Sequence, residues 1–340
     1  MLDHILGKSP AMLELKRTLP HVAATDATVL LFGEFGTGKH LIAESIHHAS
    51  QRRDAAYVVI GCESLIPIAA TLATRDGAHA SALGDLIREL LLPLRNAHGG
   101  TVLLEHADAL PLSLQPMLLR VLDIGEIHLL EEEPAPLRID VRFIASTREN
   151  LAHKVEQGLF RADLFYRLSG MTLRLPPLRC RRPDINPLFD LFMERFAERH
   201  HLPRPRLLSE SAKTRLTQYP WPENLSELRL LAERLVMTKS GGAVEIEDLP
   251  TVIRETPMVP DWRVTLPENG LSLDEFEQDM IRQALIATHG RRTHAARLLG
   301  LTRHALNYRV EKHGLESDTD LFASSRLDAR PLNEFHPKEI

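Results

Sequence analysis

The chain lacks the residues that mark several protein classes. Cysteine occurs only at Cys62 and Cys180, and no CxxC pair exists. That excludes a disulfide scaffold and points to a reducing compartment, the cytoplasm. No run of about 18 apolar residues is present to span a bilayer, and the amino terminus has no basic-then-apolar secretory signal. Long repeats and low-complexity tracts are absent too. Nor is positive charge in excess: a net charge of −5 leaves nucleic-acid binding to a local basic patch. What remains, 340 residues with 44% hydrophobic and 26% charged side chains, is a soluble globular chain. The length suggests about two domains.

The stretch from Ala27 to Ile46 carries the most chemistry. The apolar run Val29-Leu30-Leu31-Phe32 reads as a buried parallel strand. It breaks at Gly33-Glu34-Phe35-Gly36-Thr37-Gly38-Lys39, and Leu41, Ile42 and Ile46 then follow helical spacing. Strand, glycine loop, lysine and helix make a phosphate-binding P-loop. The glycines let successive N–H groups turn toward phosphate oxygens, the helix N-terminus adds its positive end, and Lys39 reaches the β/γ-phosphates. His40 stands where the general pattern has the Ser or Thr that touches magnesium.

Before this loop, Ser9-Pro10 marks the start of a helix expected to end near Leu19. After it, strands are expected at Tyr57–Ile60, Thr101–Leu104, Val141–Ala145 and Met171–Leu175, with helices at Leu112–Leu122 and Arg161–Leu168. The alternation predicts a parallel sheet covered on both faces, over residues 1–180. From Pro183 the pattern is only helical, so a lid is expected over 181–250. Residues 251–270, with Pro257, Pro260 and Pro267, read as a linker. Helices return over 271–315, and 316–340 read as a disordered tail.

The chain resembles the AAA+ bacterial enhancer-binding proteins that act on σ54 RNA polymerase. The likeness runs from about Ile5 to Leu315 and rests on Leu6-Gly7-Lys8-Ser9-Pro10-Ala11-Met12, the P-loop, and Leu112-Ser113-Leu114-Gln115 with Leu118-Leu119-Arg120-Val121-Leu122. Further matches are Phe160-Arg161-Ala162-Asp163-Leu164, Tyr166-Arg167-Leu168, Leu175-Pro176-Pro177-Leu178-Arg179 and Tyr219-Pro220-Trp221-Pro222. The fold class implied is α/β, an AAA+ parallel sheet with a helical lid, followed by an all-α helix-turn-helix domain. The resemblance also implies a nucleotide, ATP or another purine nucleotide, on Gly33, Glu34, Phe35, Gly36, Thr37, Gly38, Lys39 and His40.

Several positions depart from the family. Where its third strand ends in Asp-Glu, this chain has Glu105-His106: Glu105 is placed to hold magnesium, or with His106 simply caps a core strand. His106 is a poor substitute for the carboxylate that positions water. The sensor pair Thr-Asn is Thr147-Arg148, and Ser226 replaces the lid arginine that touches the γ-phosphate. Arg161 and Arg167 match the fingers inserted by a neighbouring subunit. In place of the Gly-Ala-Phe-Thr-Gly-Ala loop that contacts σ54 stands Gly77-Ala78-His79-Ala80-Ser81-Ala82, a small-residue loop with no apolar tip.

The C-terminal segment is better kept. Thr293 to Arg309 fits a helix-turn-helix, the Fis-type DNA-binding domain of the family: Ala295 and Ala296 allow close crossing, Gly300 turns, and Leu299, Leu301 and Leu306 close the core. Its second helix is expected to point Thr302, Arg303, His304, Asn307 and Arg309 outward. Arg303 and Asn307 share a face and suit guanine and adenine edges. Arg291 and Arg292 precede the first helix, within reach of the DNA backbone only, and Thr293 at the start of the motif is a further DNA-binding candidate. Between Gly290 and Gly314, Arg291, Arg292, Arg297, Arg303, Arg309 and Lys312 face one acid, Glu311. That is a local phosphate-binding footprint. The helix from Ser272 to Thr288 is the expected dimer contact.

The sequence thus reads as a sequence-specific DNA-binding transcriptional regulator with a degenerate AAA+ module. That module is expected to bind nucleotide, with Glu105 the one magnesium candidate, but neither to hydrolyse it nor to contact σ54. Expected partners are double-stranded DNA, copies of itself as a dimer or ring, and RNA polymerase or a related regulator, with no membrane. No receiver or sensory domain precedes Ile5, so control is expected from a ligand, a partner or expression level. Two alternatives stand beside this reading: an active ATP-hydrolysing σ54 activator, and a subunit that joins and tunes the rings of an intact relative.

Overall fold

The computed structural model describes residues 7–73, 82, 85–127, 137–202, 206–239, 242–256, 270–288 and 290–315. The chain divides into two compact units, Met1–Asp261 and Trp262–Ile340.

The first unit is built on a parallel sheet. Its strands are β1 (Val29–Phe32), β2 (Tyr57–Gly61), β3 (Thr101–Glu105), β6 (Arg142–Thr147) and β7 (Met171–Arg174), in the spatial order β2-β3-β6-β1-β7. Short β4 (Glu126–Ile127) and β5 (Leu137–Arg138) pair as an antiparallel ribbon outside it, which apolar patterning did not signal. Successive side chains of a strand point to opposite faces. Accordingly Val29, Leu31, Leu103 and Ile144 enter one core cluster with α1 (Pro10–Ala23) and α2 (Lys39–His48). Leu30, Val102, Leu104, Phe143 and Ala145 enter the other. There they meet α3 (Leu65–Ala73), α4 (Leu92–Asn96), α5 (Gln115–Ile124), α6 (Leu151–Glu156) and α7 (Ala162–Leu168). Both faces are covered, which is why these strands are apolar without alternation.

Helix α1 runs past Leu19 despite Pro20. The proline costs one backbone bond near the helix end, and fully buried Val22 and Ala23 hold the last turn in the core. Register then places the site. Phe32 lies opposite Thr147 and Arg174, Leu104 opposite Ala145, and Gly61 opposite Glu105. The carboxyl ends of β1, β2, β3 and β6 therefore open into one crevice, where ligands of parallel sheets bind.

The lid comprises α8 (Ile185–Arg199), α9 (Glu210–Gln218), α10 (Asn224–Thr238) and α11 (Thr251–Glu255), around buried Phe189, Trp221, Leu228 and Leu235. It is not purely helical: β8 (Arg206–Leu208) pairs in parallel with β9 (Ala243–Val244). The segment expected to be a linker from residue 251 also begins inside the lid. Ile253 of α11 is buried in the lid core, and its carbonyl accepts from Arg215 Nε at 2.5 Å. The rest of that segment to residue 269, and the tail 316–340, lie outside the described residues.

The second unit holds α12 (Leu273–Ala287), α13 (Arg292–Leu298) and α14 (Arg303–Lys312), closed around Ile281, Leu285, Ala295, Ala296, Leu306 and Val310. Among the described residues no helix is long and apolar enough to cross a membrane.

Candidate functional site

The P-loop leaves β1 at Gly33, whose N–H donates to Thr147 O at 3.2 Å. It turns through Gly36 and Gly38, at φ of 71° and 100°, which side chains with a Cβ rarely adopt. Helix α2 then starts at Lys39 without a side-chain cap, so its first N–H groups are available to an anion. Lys39 is 8% exposed, and its Nζ donates to Gly33 O at 2.6 Å and Glu34 O at 2.8 Å. Burial, aided by the nearby Arg148 cation, pushes its pKa down to about 8. An under-compensated ammonium inside an uncapped glycine loop fits phosphate oxygens.

The lid closes directly over this loop. Leu225 N–H donates to Gly36 O at 2.9 Å. A Cβ at Gly36 would lie 2.1 Å from Glu223 O and 2.9 Å from Ser226 Oγ, so Ser226 does sit above the loop. Asn224, fully buried at φ 55°, ties three segments together. Its Oδ1 accepts from Leu178 N–H at 2.7 Å, while Nδ2 donates to Phe35 O at 2.8 Å and Glu34 Oε2 at 3.3 Å. Arg179 Nη1 reaches Glu34 Oε2 at 2.8 Å, and that guanidinium holds Glu34 below the usual carboxylate range. Beside the loop lies a shallow open cleft lined by Met12, Leu41, Leu188 and Phe192 with Arg181 and Arg195. Buried Arg181 donates to Thr37 O at 3.0 Å. Asn224→Ala leaves a buried N–H and C=O without partners, so a loss of about 2–4 kcal/mol is expected. Urea unfolding of the whole chain checks this, and an unchanged midpoint would refute it.

The metal positions look different. His40 Nδ1 and Glu105 Oε1 lie 2.9 Å apart and bond to each other. His106 sits at φ 53°, and its Nδ1 is 3.0 Å from Glu63 Oε1, which Arg148 also engages. Arg148 N–H donates to the buried Asp108 Oδ1 at 3.2 Å. Thr147 Oγ1 turns away to Glu149 O at 2.7 Å. Glu63 and Asp108 are site residues that motif reading passed over; the signal for Glu63 was its place just past β2, the neighbour of β3. A magnesium ion needs oxygen ligands in a near-octahedral shell. Here the position after Lys39 offers an imidazole in place of a hard hydroxyl oxygen, and Glu105 Oε1 is paired with it, so these two residues fit that ion poorly. Arg161 and Arg167 stand elsewhere, exposed on and before α7. They pair with Asp163 at 2.7 Å and Asp123 at 2.9 Å.

In the second unit Gly300, at φ 65°, makes the turn, and Thr302 caps α14 by accepting from Ala305 N–H at 3.2 Å. Arg303 and His304 are exposed on its first turn. Two expectations need correction. Arg309 does not face outward: its Nε donates to Glu277 Oε1 of α12 at 2.6 Å. Arg292 does not precede the first helix but begins it, and its Nη1 reaches Asn307 Oδ1 at 3.4 Å. Lys312 and His313 also turn to α12, at 2.6 Å from Asp274 and 3.2 Å from Glu277. Acids outside the counted window thus neutralise part of the basic footprint. Arg291, Thr293, Arg297 and Arg303 keep theirs exposed.

The Sigma-54 interaction domain family matches residues 5–174, the AAA+ ATPase lid domain 179–261, and the Fis family of bacterial regulatory proteins 272–313. Regulatory protein AtoC of Escherichia coli is 35% identical over 322 residues, covering 92% of this chain and 68% of AtoC. The chain is a σ54 enhancer-binding protein. Transcriptional regulatory protein ZraR of Klebsiella oxytoca is a similar relative of this enhancer-binding protein, 37% identical over 89% of this chain and 67% of its own. Among solved structures, NtrX from Brucella abortus in complex with ADP superposes with a TM-score of 0.64 at 28% identity, over 91% of this chain and 70% of NtrX. NtrX in complex with ATP gives 0.62. The fold is thus an α/β AAA+ module followed by an all-α helix-turn-helix, in a DNA-binding regulator family. For this enhancer-binding protein the segment Gly77–Ser81, opposite the family's σ54-contacting loop, lies outside the described residues.

Proposed function

We propose that this enhancer-binding protein is a sequence-specific DNA-binding regulator whose AAA+ module binds a purine nucleotide without hydrolysing it and without contacting σ54. Binding is supported by the uncapped P-loop, buried Lys39 and the adjoining apolar cleft. One observation carries the absence of hydrolysis: Glu105 is bonded to His40, and the next residue, His106, is held by Glu63 rather than being a carboxylate aimed at water. DNA is read by the first turn of α14, and copies associate through α12 or as a ring, with RNA polymerase or a related regulator as the downstream partner.

Nucleotide is expected to raise the melting temperature of the full chain, by about 2.7 kcal/mol at a ligand concentration of 100 Kd. Lys39→Ala should abolish that shift, read against the variant's own unliganded melting temperature because the Gly33 and Glu34 carbonyls lose their ammonium donor. A shift that survives Lys39→Ala would refute the cradle, and no shift in the parent with any adenine or guanine nucleotide would refute binding itself.

A second reading has its own support. Arg161 and Arg167 remain 43% and 51% exposed, presented to a neighbour. A subunit without a working site can still lend fingers to the ring of an intact relative. Mixing the two proteins and finding the relative's turnover unchanged would remove this reading.

A further inference from the structure

In the module's nucleotide site every described acid near Lys39 already accepts a hydrogen bond or ion pair on at least one oxygen. Lys39 has Asp108, Glu105 and Glu34 among its close acidic neighbours, and Glu63 stands just beyond. Each is engaged. Glu105 Oε1 is 2.9 Å from His40 Nδ1. Glu34 is held by Arg179 and Asn224. Asp108 is buried against the Arg148 amide, and Glu63 is shared by His106 and Arg148. His40 follows Lys39 directly on α2, where a hydroxyl would offer a hard oxygen; its imidazole suits softer metals than magnesium. A hydrated magnesium ion gives up water reluctantly, and it meets here a Glu105 whose Oε1 is already paired with the imidazole that replaces the hydroxyl.

We propose that this module takes its nucleotide without a divalent cation. The inference rests on the nucleotide-binding reading above and adds to it the ionic form of the ligand, the metal-free polyphosphate. Its negative charge is met instead by Lys39, by the uncapped N–H groups of α2, and by Arg148, which is near enough to repel the Lys39 ammonium. Occupancy then follows nucleotide concentration alone, whatever the free magnesium.

The test is a fluorescence titration of the full chain with an N-methylanthraniloyl adenine or guanine nucleotide, in EDTA and again in excess magnesium or manganese. Equal dissociation constants in all three buffers are expected. His40→Ser frees Glu105 and restores a hydroxyl, and should bind about tenfold or more tightly with magnesium than in EDTA. Tightening of the parent protein by about tenfold with either cation would overturn the inference. So would a His40→Ser variant that gains no magnesium dependence, because the pairing would then not be what excludes the ion. Absence of binding in every buffer is a separate result: it would overturn the nucleotide reading, and this inference with it.

Discussion

The purified chain should show no ATP turnover above background, at any protein concentration and with or without DNA. Hydrolysis of this kind depends on positioning a water and stabilising charge on the γ-phosphoryl group. Each part is compromised here. Glu105 is bonded to His40, and His106 is fixed by its left-handed backbone and by Glu63. The lid residue lying over Gly36 is Ser226, which carries no charge to the phosphate. A single arginine acting on the transferring phosphate is worth on the order of 10³–10⁵ in rate. Losing such a charge together with the water-positioning carboxylate therefore takes turnover below detection. A coupled phosphate-release assay across a wide protein range decides this. Cation-dependent turnover that rises with self-association would show a working ATPase, and would favour the active σ54 activator instead.

Arg303→Ala should cost about 1–3 kcal/mol on the cognate DNA site, relax preference at one position, and barely change binding to random duplex. Arg303 is exposed on the first turn of α14, the end that enters the major groove in helix-turn-helix proteins. Asn307, one turn on, is half-buried and held by Arg292. Arg292→Ala should therefore resemble a weakened Asn307→Ala and lose affinity mainly on the cognate duplex. Arg291→Ala differs: this exposed side chain before α13 should weaken all sequences alike and reduce the salt slope by about one unit. Arg309→Ala should act through stability, since its guanidinium faces Glu277. Salt titrations on operator and random duplex separate these classes. Equal losses on both duplexes for Arg303→Ala and Arg291→Ala would mean that α14 does not read bases as drawn. No change in any variant would leave the basic face a solvated surface.

What could be read in one dimension was local. Val29–Phe32, Gly33–Lys39 and the helical spacing after them specify strand, turn and helix by short-range sterics and apolar period, and the folded chain has all three. The turn at Gly300 and the small pair Ala295-Ala296 were legible for the same reason. Pairings across long separations were not. That His40 meets Glu105, 65 residues away, depends on the order β2-β3-β6-β1-β7, which no local pattern states. Asn224, 46 residues from Leu178 and 189 from Phe35, becomes a tie between lid and loop only when three backbones converge on one buried amide. The basic count over 290–314 likewise overstated the DNA face, because Asp274 and Glu277 lie outside that window and a helix packing decides which cations they neutralise. Residue chemistry, set by the sequence alone, determined that this chain has a glycine-rich phosphate loop followed by His40, Glu105-His106 at the end of a core strand, and a helix-turn-helix behind them. Tertiary structure decided which of the substituted groups bond to one another, because a hydrogen bond depends on distances of a few tenths of an ångström between elements that only folding brings together.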